Sequence, residues 1–240
     1  MSTVKRTVLI TGCSSGIGRA IARKLLGKNH LVLGVSRDCR QFDVEMSNFI
    51  PLEMDLGNLT TLPKHLKSLR TAFPDIDAAV FAAGTGLFGS LDEFSFSQIE
   101  SLITVNFTSQ AFLARELLPG FRKRTRSDMI FIGSEAALKG SRKGAVYCAS
   151  KFALRGFTQA LREECSRCGV RVALINPGMV KTAFYDHLSF RPGLDESNFL
   201  RPEDVAEAVC YIMDSNANIV IDEINLNPLN KVVNFKKSGQ

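Results

Sequence analysis

Apolar residues along this chain follow two rhythms. Short runs rich in β-branched residues recur at RTVLIT (6–11), HLVLGVS (30–36), FIPLEMD (49–55), DAAVFAA (77–83), DMIFIGS (128–134), VRVALIN (170–176) and NIVIDEI (218–224). Between most of them, in 16–28, 59–73, 97–122, 145–167 and 203–214, apolar positions return every three or four residues, the signature of helices with one buried face. Strands that are almost continuously hydrophobic are buried on both sides, and intervening helices supply the cover. The pattern predicts an α/β fold, a single doubly wound domain over 1–240 with a seven-stranded, mainly parallel sheet and helices on both faces. Residues 181–202, KTAFYDHLSFRPGLDESNFLRP, break the rhythm just after a strand end, where open α/β sheets place their ligands. This segment is expected to be a substrate loop, and 222–240 a C-terminal tail.

Composition narrows the class without changing the fold. The 240 residues are 45% hydrophobic and 22% charged, with a net charge of +6. The basic residues are scattered apart from FRKRTR (121–126) and KK (236–237), which reads as a solvated basic face, not a nucleic-acid surface. No apolar run approaches the roughly 18 residues of a membrane span, and the N-terminus lacks a signal-like apolar region. Cys13, Cys39, Cys148, Cys165, Cys168 and Cys210 form no disulfide framework. CSRC (165–168) has no second pair, and His30, His65 and His187 are far apart in sequence. A cytoplasmic protein with free thiols, no metal site, no nucleic-acid partner and no membrane association is expected.

Chemistry enters at TGCSSGIG (11–18), where the first strand hands over to the first helix. Gly12 suits a tight turn, Gly16 lets backbone approach a pyrophosphate, and Gly18 allows close packing of helix on strand. The helix N-terminus then presents its positive end to phosphates. The second strand ends in Ser36 and Arg37, where dinucleotide folds that bind a ribose 2′-hydroxyl carry a carboxylate. A hydroxyl and a guanidinium suit a 2′-phosphate, favouring NADP(H) over NAD(H), with Asp38 as the competing reading.

With this turn, MDL (54–56), AAG (82–84), Asn106, Ser134, YCASK (147–151) and NPGMVKT (176–182) in register, the chain resembles the short-chain dehydrogenase/reductase family from about residue 6 to 225. The fold implied is Rossmann-like. The resemblance implies a catalytic tetrad of Asn106, Ser134, Tyr147 and Lys151. It implies cofactor contacts from Gly12, Ser14, Ser15, Gly16, Ile17 and Gly18 in the turn, from Ser36 and Arg37, and from Asp55, Leu56, Ala83 and Gly84. Asp55 would touch the adenine. Pro177 and Gly178 would shape the nicotinamide pocket, Val180 and Thr182 would hold the carboxamide, and Asn106, Tyr147 and Lys151 would also face the cofactor. The chain departs from the family in FAAG (81–84), where Phe81 and Ala82 replace asparagines, so side-chain hydrogen bonds expected there are absent. Its ending, DEINLNPLNK (222–231), lacks the Thr-Gly-Gln…Asp-Gly-Gly pattern of 3-oxoacyl carrier-protein reductases and is closer to the 3-hydroxy acid dehydrogenase branch.

In this scheme Tyr147 exchanges a proton with the substrate oxygen while hydride moves to or from carbon. An ordinary phenol, with a pKa of about 10, releases its proton reluctantly. Lys151, one helical turn on, is expected to lower that value. Ser134 would polarise the carbonyl, and Asn106 would fix a water linking Lys151 to solvent. The activity implied is reversible reduction of a small-molecule carbonyl to an alcohol. A 3-hydroxy acid dehydrogenase with a small polar substrate, or a non-catalytic dinucleotide sensor, are the alternatives. Phe88, Met179, Phe184, Tyr185 and Leu188 either line an apolar pocket or anchor the loop, and His187 or Lys143 could meet a carboxylate. The family implies a homodimer or homotetramer pairing through helices near 97–122 and 145–167, which the tail could join.

Overall fold

A computed structural model describes residues 5–40, 42 and 46–236. Its main sheet contains β1 (Thr7–Thr11), β2 (Leu31–Ser36), β3 (Phe49–Glu53), β4 (Ala78–Phe81), β5 (Ser127–Ile132), β6 (Val170–Pro177) and β8 (Glu223–Leu226). They are ordered β3-β2-β1-β4-β5-β6-β8, and every pairing is parallel. Chain order reverses between β1 and β4, so a crevice opens at their C-terminal ends.

The two-residue period of the strands sorts side chains into two cores. Val8, Ile10, Val80, Ile130 and Ile175 pack beneath α1 (Gly16–Gly27) and α6 (Pro202–Asp214). Leu9, Ala79, Phe81, Met129, Phe131 and Leu174 face the other way, onto α2 (Leu62–Ala72), α4 (Ser109–Phe121) and α5 (Ala145–Glu164). Phe81 and Phe131 stack across β4 and β5 with centroids 4.1 Å apart. Pro51, which could not donate within a central ladder, sits on the edge strand β3.

Three local expectations are revised. The last strand, expected over 218–224, begins only at Glu223. The Arg171 guanidinium takes the Ser215 hydroxyl (2.8 Å) and the carbonyls of Asn216 (3.2 Å) and Ile219 (3.4 Å), so that segment is turned to a side chain and not to the ladder. The long helix over 97–122 is α3 (Phe96–Ile103) running into α4 through a widened turn, Thr104–Thr108, with i→i+5 geometry. The substrate loop and the tail also pair with each other. β7 (Phe190–Pro192) and β9 (Val233–Phe235) form an antiparallel ribbon, and Lys236 Nζ caps the carbonyls of Tyr185 (2.7 Å) and Asp186 (2.8 Å). The tail is thus engaged by its own loop as far as residue 236; 237–240 lie outside the described residues.

At the N-terminal ends of the central strands, Asp128 is wholly buried among guanidiniums. Arg6 and Arg171 bond its two oxygens, the latter at 2.6 Å, and Arg126 lies 3.8 Å away. Arg6 also reaches Asp77 at 3.2 Å. All six cysteines are free.

Candidate active site

The crevice at the strand C-termini is a cleft of 570 Å³. Its floor is the β1–α1 turn. Gly12 takes φ +71° and Gly16 φ +51°, a region where a side chain would be strained. A Cβ on Gly12 would lie 2.9 Å from the Ala83 Cα, and one on Gly18 would strike the Gly12 carbonyl. Ser15 caps α1 without a side-chain hydrogen bond, so the first helical N–H groups have no local acceptor. A glycine cradle opening onto free N–H donors fits a pyrophosphate.

Along the walls, Ser14, Ser15, Ile17, Ser36, Arg37, Asp55, Leu56, Ala83, Gly84, Ser134, Tyr147, Lys151, Pro177, Gly178, Val180 and Thr182 all line the same cleft as the three glycines. Every residue selected from sequence for catalysis or cofactor contact except Asn106 therefore lies on one surface. Arg37 is exposed and has no ion-pair partner among the described residues, leaving its guanidinium available. Asp38 is instead taken by Arg40, through its backbone N–H (2.9 Å) and its Nε (3.0 Å), and lies off the cleft wall.

Asn106 sits underneath, fully buried in the widened turn. Its Oδ1 accepts from the Thr85 N–H (2.8 Å), and its Nδ2 donates to the Thr85 carbonyl (3.0 Å) and to Ser150 Oγ (3.1 Å). Its own carbonyl accepts from Gln110 Nε2 (2.9 Å), which also donates to the Ala83 carbonyl (3.0 Å). The pair thus clamps the backbone on both sides of Gly84. Gln110 was not selected from sequence; its signal was a glutamine on a buried helix face, four residues after Asn106. The hydrogen bonds missing from FAAG are also replaced. Thr11 Oγ1 accepts from the N–H groups of Ala82 (3.0 Å) and Ala83 (3.1 Å).

Tyr147 and Lys151 project from the buried side of α5. Lys151 Nζ lies 5.9 Å from the centre of the Tyr147 ring and donates to the Ile132 carbonyl at 3.2 Å. Ser134 Oγ accepts from the Ala136 N–H at 3.2 Å, keeping its own proton for a partner in the cleft. Sequence reasoning expected the lysine to lower the tyrosine's pKa, but in this structure burial dominates both groups. It pushes the phenol up to about 12 against the opposing hydrogen bond from Ser134. It also pulls the ammonium down to about 8. A cationic ring bound over the cleft would favour the phenolate and so oppose the first shift.

Of the substrate-side candidates, Phe184, Tyr185 and His187 line the cleft, whereas Phe88, Met179, Leu188 and Lys143 do not. Met179 and Leu188 are buried loop anchors, and Phe88 backs the Tyr147 ring at 4.9 Å. His187 Nε2 lies 3.0 Å from the Gly86 carbonyl.

A family model described as short chain dehydrogenase matches residues 6–190. The chain belongs to the short-chain dehydrogenase family. Among its relatives, an NADP-dependent 3-hydroxy acid dehydrogenase of Schizosaccharomyces pombe is 30% identical, the alignment covering 90% of each chain. An uncharacterized oxidoreductase of Staphylococcus epidermidis is 29% identical over 95% of this chain and all of its own. A serine dehydrogenase of Escherichia coli superposes with a TM-score of 0.78 at 28% identity, covering 92% of this chain and 96% of that one. The closed form of serine dehydrogenase complexed with NADP+ gives 0.80 at 27% identity, covering 92% and 94%. Membership makes this chain an oxidoreductase that binds a dinucleotide, in agreement with the glycine cradle.

Proposed function

We propose that this short-chain dehydrogenase is an NADP(H)-dependent reductase that converts a carbonyl to an alcohol, reversibly, with Tyr147 as acid and base. The observation that carries the reading is the convergence of Ser134, Tyr147 and Lys151 on one cleft with the β1–α1 cradle. The dinucleotide supplies hydride when bound. Gly12, Gly16 and the α1 N-terminus hold its pyrophosphate, Asp55 lies at the adenine end, and Pro177, Gly178, Val180 and Thr182 flank the nicotinamide end. Arg37, unpaired at the end of β2, takes the 2′-phosphate, and Asp38 is withdrawn into its pair with Arg40.

Ser134 donates to the substrate oxygen and polarises the carbonyl. The Tyr147 phenol, protonated at neutral pH like any phenol and made harder still to ionise by burial, delivers its proton to that oxygen as charge develops there. Lys151 stabilises the resulting phenolate, orients the nicotinamide ribose, and returns the proton from solvent. Asn106 and Gln110 hold the wall opposite Lys151. A Cβ on Gly84 would lie 3.4 Å from Asn106 Oδ1 and 3.7 Å from Lys151 Nζ, so the wall at Gly84 runs between those two side chains. The name of the fungal relative keeps hydroxy-acid oxidation as the second reading. Pairing of copies through the α4 and α5 faces, where Phe112 and Phe152 are exposed, completes the proposal.

The test is Tyr147→Phe. Turnover with NADPH should fall by about a hundred- to ten-thousand-fold, the usual worth of a positioned acid, with cofactor affinity retained. A variant that keeps most of its turnover refutes the assignment.

A further inference from the structure

Beside the proposed proton donor, five aromatic rings close into a circle. Tyr147 contacts Phe88 (centroids 4.9 Å), Phe88 contacts Phe190 (5.0 Å), and Phe190 contacts Tyr185 (5.9 Å). Tyr185 meets Phe184 (5.2 Å), which returns to Tyr147 (6.1 Å). Phe184 and Tyr185 present this cluster to the cleft, and the four rings that complete the circle with Tyr147 are only half-buried. Tight backbone makes room for it: a Cβ on Gly86 would strike the Phe184 ring. The tail supports it from behind, with Phe235 packed on Phe190 at 6.5 Å and Lys236 capping the carbonyls of Tyr185 and Asp186.

Charge around the circle points the same way. The cleft's guanidinium and ammonium groups are Arg37, beyond β1 at the end of β2, and Lys151, buried behind the tyrosine and bonded to a backbone carbonyl. Glu135 directly follows Ser134 and is paired with Lys231 of the tail, so the neighbour of the polarising hydroxyl adds no positive charge. The His187 Nε2 donates to the Gly86 carbonyl, so that nitrogen is already committed to the backbone. Lys139, Arg142 and Lys143 are exposed on the loop before α5, and none lines the cleft. A carboxylate held next to the reacting carbonyl would meet no guanidinium or ammonium beyond the engaged Lys151 and would face aromatic π-clouds.

We infer that the substrate is an uncharged carbonyl compound carrying an aromatic or similarly flat apolar group, and that a carboxylate next to the carbonyl is disfavoured. This rests on the reductase reading above. The ring packs on Phe184 and Tyr185, which leaves the carbonyl oxygen to Ser134 and Tyr147. The carbonyl carbon gains hydride from the reduced dinucleotide, and the oxygen gains the phenol proton, so one reduced dinucleotide is oxidised per alcohol formed.

Four probes separate ring from charge: methyl benzoylformate, benzoylformate, methyl pyruvate and pyruvate, each assayed for kcat/KM with NADPH and with NADH. Methyl benzoylformate should exceed methyl pyruvate and benzoylformate by at least about tenfold each. Phe184→Leu should shrink the aromatic-to-methyl ratio, and Glu135→Gln should narrow the gap between ester and acid. Reduction of either acid at or above the rate of its ester overturns the inference and leaves the reductase reading standing, as does an aromatic-to-methyl ratio near one. No reduction of any probe with either cofactor overturns both.

Discussion

Replacing Lys151 with methionine should make the cofactor-free protein more stable while abolishing its chemistry. The ammonium is 5% exposed and has one hydrogen-bond acceptor, the Ile132 carbonyl, for its three protons. Burial lowers its pKa from the usual 10.5 to about 8. That difference amounts to about 3 kcal/mol borne by the folded state whenever the lysine is charged. The sign follows from proton counts. Below pH 8 folded and unfolded chains both hold the proton, and the folded state carries the full cost. Between pH 8 and 10.5 the unfolded chain holds a proton that the folded chain has shed, so stability rises by about 1.4 kcal/mol per pH unit. Tyr147 acts in the opposite sense above pH 10. Its folded pKa of about 12 lets the unfolded chain ionise first, and stability falls again. Methionine removes the charge at similar volume but leaves the Ile132 carbonyl without this donor, which returns about 1 kcal/mol. The net gain at pH 7 is therefore about 2 kcal/mol, or about 4–8 °C in Tm for a chain of this size. Urea unfolding of wild type and Lys151→Met at pH 7, 8, 9 and 10, without cofactor, reads the difference directly. The stability advantage of the variant should shrink as pH climbs past 8. A variant less stable than wild type at pH 7, or one whose advantage does not change with pH, refutes the claim that this site holds a costly buried charge.

Other perturbations test other parts of the molecule. Arg37→Ala should weaken NADPH binding by about ten- to a hundred-fold, the worth of a charge-assisted contact, and leave NADH almost unchanged. Titrations of both cofactors at one ionic strength check this, and equal weakening of the two removes Arg37 as the selector. Asp128→Asn should cost about 3–5 kcal/mol in urea unfolding, because two bonded guanidiniums lose their buried counter-charge; a loss below about 1 kcal/mol contradicts it. Gly18→Ala places a methyl group on the Gly12 carbonyl and should abolish cofactor binding. Gly156→Ala, mid-helix in α5 with nothing within 4 Å, should instead stabilise by about 0.5–1 kcal/mol. Sedimentation at micromolar concentration should show a dimer or tetramer, and a monomer counts against pairing through α4 and α5.

Local signals carried most of the architecture. Val8, Leu9 and Ile10 declare a strand covered on both faces, and the structure sends them alternately to the two cores. The glycine turn was equally legible, because steric demands at Gly12 and Gly18 act over a few residues. The widened turn around Asn106 was not. Its register depends on Thr85 and Ala83, distant in sequence, whose backbone groups engage the side chains of Asn106 and Gln110. The closure of the aromatic circle was hidden for the same reason: Phe88, Phe184 and Tyr185 were candidates from sequence, but Phe190 was not, and they meet Tyr147 and one another only through the fold. Arg171 shortened the last strand through contacts with a loop some forty residues onward, which no strand propensity registers.

The two ends of the sheet treat buried charge in opposite ways, and this separates stability from chemistry. At the N-terminal ends, Asp128 is buried with two guanidiniums on its oxygens, and Arg171 spends its remaining donors on the carbonyl of Ile212 and the loop that follows α6. A charge so closely paired has little bonding capacity left to offer a ligand. At the C-terminal ends, Lys151 is buried almost as deeply with a single carbonyl, and burial makes the Tyr147 phenol harder to ionise against one opposing hydrogen bond. These groups have unused bonding capacity and pKa values displaced in opposite directions, each toward its neutral form, so a positive ligand over the cleft would favour the phenolate and act directly on the proton balance of the pair. Improving the partners of Lys151 inside the protein would stabilise the fold and, by the same contacts, remove the susceptibility that proton transfer requires.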